Sequence, residues 1–276
     1  MVKRNFFKPE FSLIEKLTSE MNDTDAAKLL GVSMVSFYKA RKMLEVKAYF
    51  EKTGNRISKT GEVYQFKKYN DKYFEKIDSK DKAYFLGLLA ADGNVSPRLT
   101  AVRIALKADD EDILEKFRSY LGDEAPELKI KFSKNHGVFS APQKVLCLSK
   151  VLLVQDLIRH GVTPNKSKTL KIVCDLKDYK KDFLRGVWDG DGSVSAKRFK
   201  VCTASIEFSH QLQNWIETIS GIILPVKEEK LKSGNSLYVI SGYKKDAPVI
   251  QAIYGNADLA LQRKLNAYKT HWEPRR

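Results

Sequence analysis

Cysteine is scarce in this 276-residue chain: Cys147, Cys174 and Cys202 are the whole supply, odd in number, widely spaced and without a CxxC pair. They outline neither a disulfide framework nor a cysteine zinc site, and a reducing, cytoplasmic setting is the expectation, with a eukaryotic organelle as the alternative. Histidine is nearly as rare. His136, His160, His210 and His271 stand at no spacing that would put two on one helical turn, which argues against an imidazole metal site. No apolar run reaches the roughly 18 residues that a membrane-spanning helix needs, and MVKRNFFKPEFS carries charge too early for a signal peptide. Acidic residues are in deficit: 34 Asp and Glu face 49 Lys and Arg, a net charge of +15. Such an excess seeks a polyanion, and without a membrane signal nucleic acid is the leading partner.

What the chain does have is one stretch written twice. Residues 79–93, SKDKAYFLGLLAADG, recur as 178–192, DYKKDFLRGVWDGDG, at an ungapped offset of 99 that pairs Gly87 with Gly186, Asp92 with Asp191 and Gly93 with Gly192. The register persists through Val95/Val194, Ser96/Ser195, Val102/Val201, Ile113/Leu212, Phe117/Ile216, Tyr120/Ile219 and Gly122/Gly221. Two copies of one structural unit are therefore expected. Each copy reads as a helix opened by a capping residue, Ser79 or Asp178, and stopped at Asp-Gly, where the glycine would turn left-handed. Gly87, Gly186 and Gly190, with Ala90 and Ala91, would let the two helices approach closely about a pseudo-twofold axis. An aspartate then stands at the foot of each. Two carboxylates meeting beside helix C-terminal carbonyls repel unless a cation lies between them, and an all-oxygen pair suits magnesium.

FLGLLAADG and LRGVWDGDG resemble the paired signature of the LAGLIDADG homing endonucleases, in the single-chain, two-motif form. The likeness covers roughly residues 80–276, with Ala90 in place of the earlier motif acid of the first copy and Leu86 and Arg185 in place of a small residue. The resemblance implies an α+β fold of two αββαββα repeats with saddle-shaped antiparallel sheets. It also implies that Asp92 and Asp191 hold two or three Mg²⁺ ions, with Mn²⁺ able to substitute, and that a monomer cuts both strands of a long DNA site to leave short 3′ overhangs. A lysine beyond the fourth strand of each repeat would lie near the attacking water, with Lys150 and Lys244 or Lys245 as candidates. Asp189 fits a turn-capping acid better than one that supports the metal ligands from behind. Related functions carried by the same fold are an intron RNA maturase and a non-cleaving transcription regulator; the acid pair favours cleavage. An intein is disfavoured because no splice-junction nucleophile opens the chain and no His-Asn closes it.

Four segments follow in chain order. Residues 1–46 suggest a helix-turn-helix-like DNA-binding module, with Ala26, Ala27, Leu29, Leu30, Val32 and Phe37 inside and Gly31 between the helices. Asp23 or Thr24 would cap one helix and Ser33 the next, and Met34, Ser36, Tyr38, Lys39, Arg41 and Lys42 would face outward. Residues 47–77 form a basic linker, with a short hairpin around Gly61 and Tyr49, Phe50, Tyr64 and Phe66 interleaved among its lysines. Repeat one then occupies 78–174 and repeat two 175–276. Alternation along the strands places Asn94, Ser96, Arg98, Arg103, Lys107, Ser193, Ser195, Lys197, Arg198, Lys200 and Thr203 on the free sheet faces, and the resemblance implies that these strands contact DNA.

Overall fold

A computed structural model describes residues 10–48, 55–57, 63–65, 68–132, 134–135, 138–139, 141–232 and 234–274. The chain divides into two units at Lys68 and Tyr69.

In the first unit, α1 (Phe11–Glu20), α2 (Asp23–Leu29) and α3 (Met34–Met43) enclose Ile14, Leu17, Ala26, Ala27, Phe37 and Val46. Ser33 caps α3 by accepting from the Ser36 amide, as expected. The cap of α2 is Asn22, which accepts from the Thr24 and Asp25 amides, one residue before the expected position. Leu29 is exposed rather than core, and Arg41 is buried rather than outward. The helical period puts Arg41 on the face of Phe37. From there its Nε donates to Asp23 Oδ2 at 3.0 Å and its Nη1 to Val46 O at 2.9 Å, tying α3 to the start of α2 and to the chain beyond. Strands β1 (Asn55–Ile57) and β2 (Val63–Gln65) pair antiparallel. The turn around Gly61 and the side chains of Tyr49, Phe50, Tyr64 and Phe66 lie outside the described residues.

The second unit holds the repeats. Repeat one runs α4 (Lys80–Asp92), β3 (Asn94–Val95), β4 (Val102–Lys107), α5 (Glu111–Leu121), β5 (Lys129–Lys131), a minor hairpin of β6 (Lys134–Asn135) and β7 (Val138–Phe139), β8 (Gln143–Leu148) and α6 (Val151–Arg159). Repeat two runs α7 (Lys180–Asp191), β9 (Gly192–Val194), β10 (Phe199–Thr203), α8 (Ile206–Ser220), β11 (Val226–Lys230), β12 (Ser236–Gly242), α9 (Ala247–Tyr254) and α10 (Gln262–His271). The two four-stranded antiparallel sheets, β3-β4-β8-β5 and β9-β10-β12-β11, have the same order of connection. This is the expected α+β architecture, with the β6–β7 hairpin beyond it.

The motif helices are buried almost throughout and cross at their glycines. A Cβ on Gly87 would lie 2.1 Å from the Phe183 carbonyl oxygen, and one on Gly186 would lie 2.0 Å from that of Tyr84. The contacts are reciprocal under the 99-residue offset, which makes the axis a property of the packing and not only of the sequence. Around the crossing, one face of each sheet closes the core: Val102, Ile104, Leu106, Leu146 and Leu148 in the first, Phe199, Val201 and Ile240 in the second.

Two expectations at the helix ends are corrected. Ser79 does cap α4, accepting from the Lys82 amide, but α7 begins after a short 3-10 turn over Lys177–Tyr179, so Asp178 is not its cap. Nor is either terminal glycine left-handed, since Gly93 has φ −70° and Gly192 φ −97°. Space decides the residue instead. A Cβ at Gly93 would meet Leu89 O at 2.4 Å, and one at Gly192 would meet Trp188 Cδ1 at 2.5 Å and its carbonyl oxygen at 2.6 Å.

Candidate active site

Helix crossing brings the two feet together. A Cβ on Gly190 of α7 would lie 2.4 Å from Ala91 Cβ and 3.1 Å from Asp92 Oδ2, so the Asp92 carboxylate rests against the opposite helix one residue before Asp191. Both aspartates are exposed to solvent. A cleft of about 230 Å³ opens beside Asp191 and is lined in part by Ala91, Lys166 and Cys202.

Desolvation raises the Asp191 carboxyl to about 6, with the negative charge of Asp92 as the next cause and Lys166 and Lys264 opposing. Desolvation also raises Asp92, against Lys264, Lys166 and Arg263. Ionising Asp191 therefore costs more here than in water, in part because Asp92 carries charge.

The lysines at this site are not the ones expected. Lys150 lies over the Tyr69 ring at 4.9 Å, and Lys244 over the Trp272 ring at 4.3 Å while donating to His271 O. Instead, Lys166 Nζ donates to Ala91 O at 3.2 Å and Gly93 O at 2.5 Å at the end of α4. Lys264 Nζ donates to Trp188 O (2.7 Å), Asp189 O (2.6 Å) and Gly192 O (2.6 Å) at the end of α7. Each ammonium offsets partial negative charge that a helix C-terminus carries close to the two aspartates. Desolvation lowers both, Lys264 to about 8. Their sequence signal was available: Lys166 follows Asp92 by nearly the same interval as Lys264 follows Asp191.

Asp189, buried at 1% exposure, takes no part in the open site. Its Oδ2 accepts from the Tyr84 hydroxyl and the Leu261 amide and its Oδ1 from the Tyr254 hydroxyl, each at 2.7 Å. The Leu261 bond pins the start of α10 and so fixes the helix that carries Arg263 and Lys264. Arg185 completes this scaffold by donating to Leu259 O, Ile253 O and Asp182. Repeat one has Ala90, Leu86 and Ala83 at the matching places and dispenses with the network.

Residues paired across antiparallel strands share a sheet face. Asn94–Arg103–Cys147, Ala105–Val145–Lys129 and Lys107–Gln143–Lys131 therefore line the face of the first sheet away from the core. The outward face of the second has Ser193–Lys200–Ser241 and Cys202–Val239–Lys227, with Glu229 and Leu237 beyond. Arg103 and Lys107 are exposed, and Lys200 is half-buried. Ser96 and Arg98 lie in the β3–β4 turn, where Ser96 Oγ accepts from the Thr100 and Ala101 amides. Ser195, Lys197 and Arg198 lie in the corresponding β9–β10 turn, closed by Ser195 Oγ donating to Arg198 O. Thr203 is buried and leaves the outward set, as does Arg41 in the first unit, where Lys39 and Lys42 remain exposed.

Residues 178–260, from just before α7 to just short of α10, match the family model of the LAGLIDADG-like domain, and that stretch is a LAGLIDADG-like domain. A curated relative, DNA-directed RNA polymerase subunit Rpo1C of Methanocaldococcus jannaschii, is 28% identical over 142 residues. That match spans 47% of this chain but only 16% of the relative. Among solved structures, the homing endonuclease I-WcaI bound to its DNA recognition sequence is similar at 12% identity and TM-score 0.49, over 70% of this chain and 90% of that one. The N-terminal LAGLIDADG domain of DUF199/WhiA is similar at 13% identity and TM-score 0.45, over 73% and 97%.

The carboxyl shifts carry a pH expectation. A folded-state value raised above the unfolded one makes the Asp191 contribution to stability fully present below pH 3.8 and lost as pH rises through about 6. Metal-free protein should therefore lose stability across that window, and Asp191→Asn should flatten the loss. Affinity for a divalent ion should fall in the opposite sense, weakening as pH drops below about 6. Thermal melts and calorimetric Mg²⁺ titrations between pH 5 and 8 check both; a pH-independent melting difference between wild type and variant would contradict the first.

Proposed function

We propose that this protein is a metal-dependent endonuclease that cuts both strands of duplex DNA at a long recognition site. The juxtaposition of Asp92 and Asp191 at the crossing helix ends carries the proposal. The residues fit a divalent ion: the Asp92 charge adds to the cost of ionising Asp191, and a cation held by both carboxylates would offset it. Among the described residues no group of three His, Cys, Asp or Glu side chains gathers to form a complete protein cage. That is the ligand count magnesium uses when phosphate and water complete its shell. Once bound, such an ion supplies Lewis acidity at the phosphate and lowers the pKa of bound water.

The chain's own residues provide the rest. Asp92 and Asp191 orient the ion from two helices whose spacing is locked by glycine contacts. Lys166 and Lys264 neutralise the carbonyls behind them, and the cations of the outward sheet faces draw in the phosphodiester backbone. The helical unit over residues 10–48 adds a second DNA contact through the exposed Ser36, Lys39 and Lys42 of α3.

The test is incubation of the protein with Mg²⁺ and a randomised duplex pool, followed by recovery of cut and of merely bound molecules. Cutting that needs the metal supports the proposal. Binding without cutting would favour a non-cleaving regulator, the reading that the three-helix unit, with Ser36, Lys39 and Lys42 exposed on α3, supports independently.

A salt expectation follows from the two faces. Among the described residues the first sheet face presents Arg103, Lys107, Lys129 and Lys131 and no acid, whereas the second carries Glu229 on the same face as Lys200 and Lys227. Neutralising Arg103 and Lys107 should reduce the slope of log K against log salt by roughly 0.9 per lost phosphate contact. The same treatment of Lys200 and Lys227 should change it less. Fluorescence anisotropy across a salt series decides between these outcomes.

A further inference from the structure

The two halves of the aspartate site are supplied with cations differently. Lys264 directs three hydrogen bonds at backbone carbonyls, which uses every N–H of an ammonium, whereas Lys166 directs two and keeps one. Lys166 and Asp191 line one cleft, and Lys166 is the cation that weighs most on Asp191, whereas Lys264 weighs most on Asp92. The Asp92 side therefore has a lysine whose charge is present but whose donors are committed.

Arg263 stands next to that lysine. It is 47% exposed, and only its Nε is engaged, donating to both carboxylate oxygens of Asp110 at 3.2 and 3.0 Å. Asp110 is itself buried, at 3% exposure, and belongs to the junction of β4 and α5 in the other repeat. A buried carboxylate gripping Nε holds the guanidinium plane while Nη1 and Nη2, which have no partner among the described residues, stay open. The Leu261–Asp189 bond fixes the helix beneath it. In repeat one the residue before Lys166 is Asn165, which carries no charge.

We propose that Arg263, braced by Asp110 across the repeat boundary, is a phosphate-binding residue serving one DNA strand, on the Asp92 side, where Lys264 has no donor left to give. A planar fork with two free nitrogens suits two oxygens of one phosphate. On the Asp191 side the remaining N–H of Lys166 supplies the corresponding contact. The two strands are thus held by different chemistry, arginine for one and lysine for the other.

The cleavage arm of the test rests on the nuclease reading; the binding arm does not. A duplex recovered by binding is labelled separately on each strand and incubated with Mg²⁺ and wild type, Arg263→Ala, Arg263→Lys or Lys166→Met. Arg263→Ala should slow one strand by about 100-fold and accumulate a nicked product, Lys166→Met should slow the opposite strand, and Arg263→Lys should fall between wild type and Arg263→Ala while guarding against misfolding. In Ca²⁺, single methylphosphonates are placed along the central positions. One on one strand should weaken wild type and leave Arg263→Ala unchanged. Equal slowing of both strands, or no phosphate coupled to Arg263, overturns the inference even where cutting is seen. Coupling without any cutting would sustain the phosphate contact and sink the nuclease.

Discussion

Asparagine in place of Asp92, or of Asp191, is expected to reduce strand scission by about 1,000-fold or more while duplex binding in Ca²⁺ changes by only a few-fold. The substitution keeps shape and one oxygen but halves the negative charge available to a cation, and no third acid gathers with the pair among the described residues. Phosphate affinity should survive because it resides in the basic sheet faces. In metal-free protein at pH 8, by contrast, either variant should melt higher than wild type. The Asp92 charge is one of the causes that raise the Asp191 carboxyl, and removing either partner relieves that repulsion. Opposite signs for activity and stability are what distinguish a destabilised functional pair from a merely structural turn, for which both would fall together. Quantitative cleavage assays and thermal melts on the same preparations decide this. Full cutting by either variant would remove the proposed centre.

The fold was open to reading wherever side-chain type alone dictates environment. The repeated helix, the amphipathic α5 with Ile113, Leu114, Phe117 and Leu121 buried, and the alternation of β4 all follow from periodicity. The aspartate pair was legible for a related reason, since a repeat in register places equivalent residues at equivalent distances from an axis. Lys166 and Lys264 were not found because a lysine in a connecting segment has the sequence appearance of solvated surface. Only the tertiary path that returns each segment to a helix end gives it carbonyls to bind. Arg41 went astray for the converse reason: its charge predicted solvent, yet Asp23 and the Val46 carbonyl satisfy it indoors. The terminal motif glycines were expected for their backbone freedom and turn out to be needed for their lack of a side chain. Composition reveals that a glycine is present, while the neighbour that demands it lies elsewhere in the chain.

Alanine at Gly87 is expected to be among the most disruptive single-methyl additions this chain can receive. The new Cβ would meet Phe183 O at 2.1 Å, Phe183 C at 3.0 Å and Val187 N at 3.1 Å, all backbone atoms, so no rotamer change can make room. Alanine's better helix propensity returns at most about 1 kcal/mol, whereas overpacking a fitted interface costs about 1–3 kcal/mol and more where backbone must move. A net loss of about 3 kcal/mol should lower the melting temperature by roughly 6–12 °C for a unit of this size. Gly186→Ala should behave alike, its Cβ lying 2.0 Å from Tyr84 O and 2.8 Å from Leu88 N. The double variant should be less damaging than the sum of the singles, because one separation of the helices relieves both clashes. That same separation would draw Asp92 away from Asp191, so Mg²⁺ affinity should fall even at temperatures where either variant is fully folded. Urea titrations of the two single variants and the double one, with calorimetric Mg²⁺ binding alongside, provide the measurement. Strict additivity, or metal affinity unchanged in folded variants, would mean that the glycine crossing does not set the distance between the carboxylates.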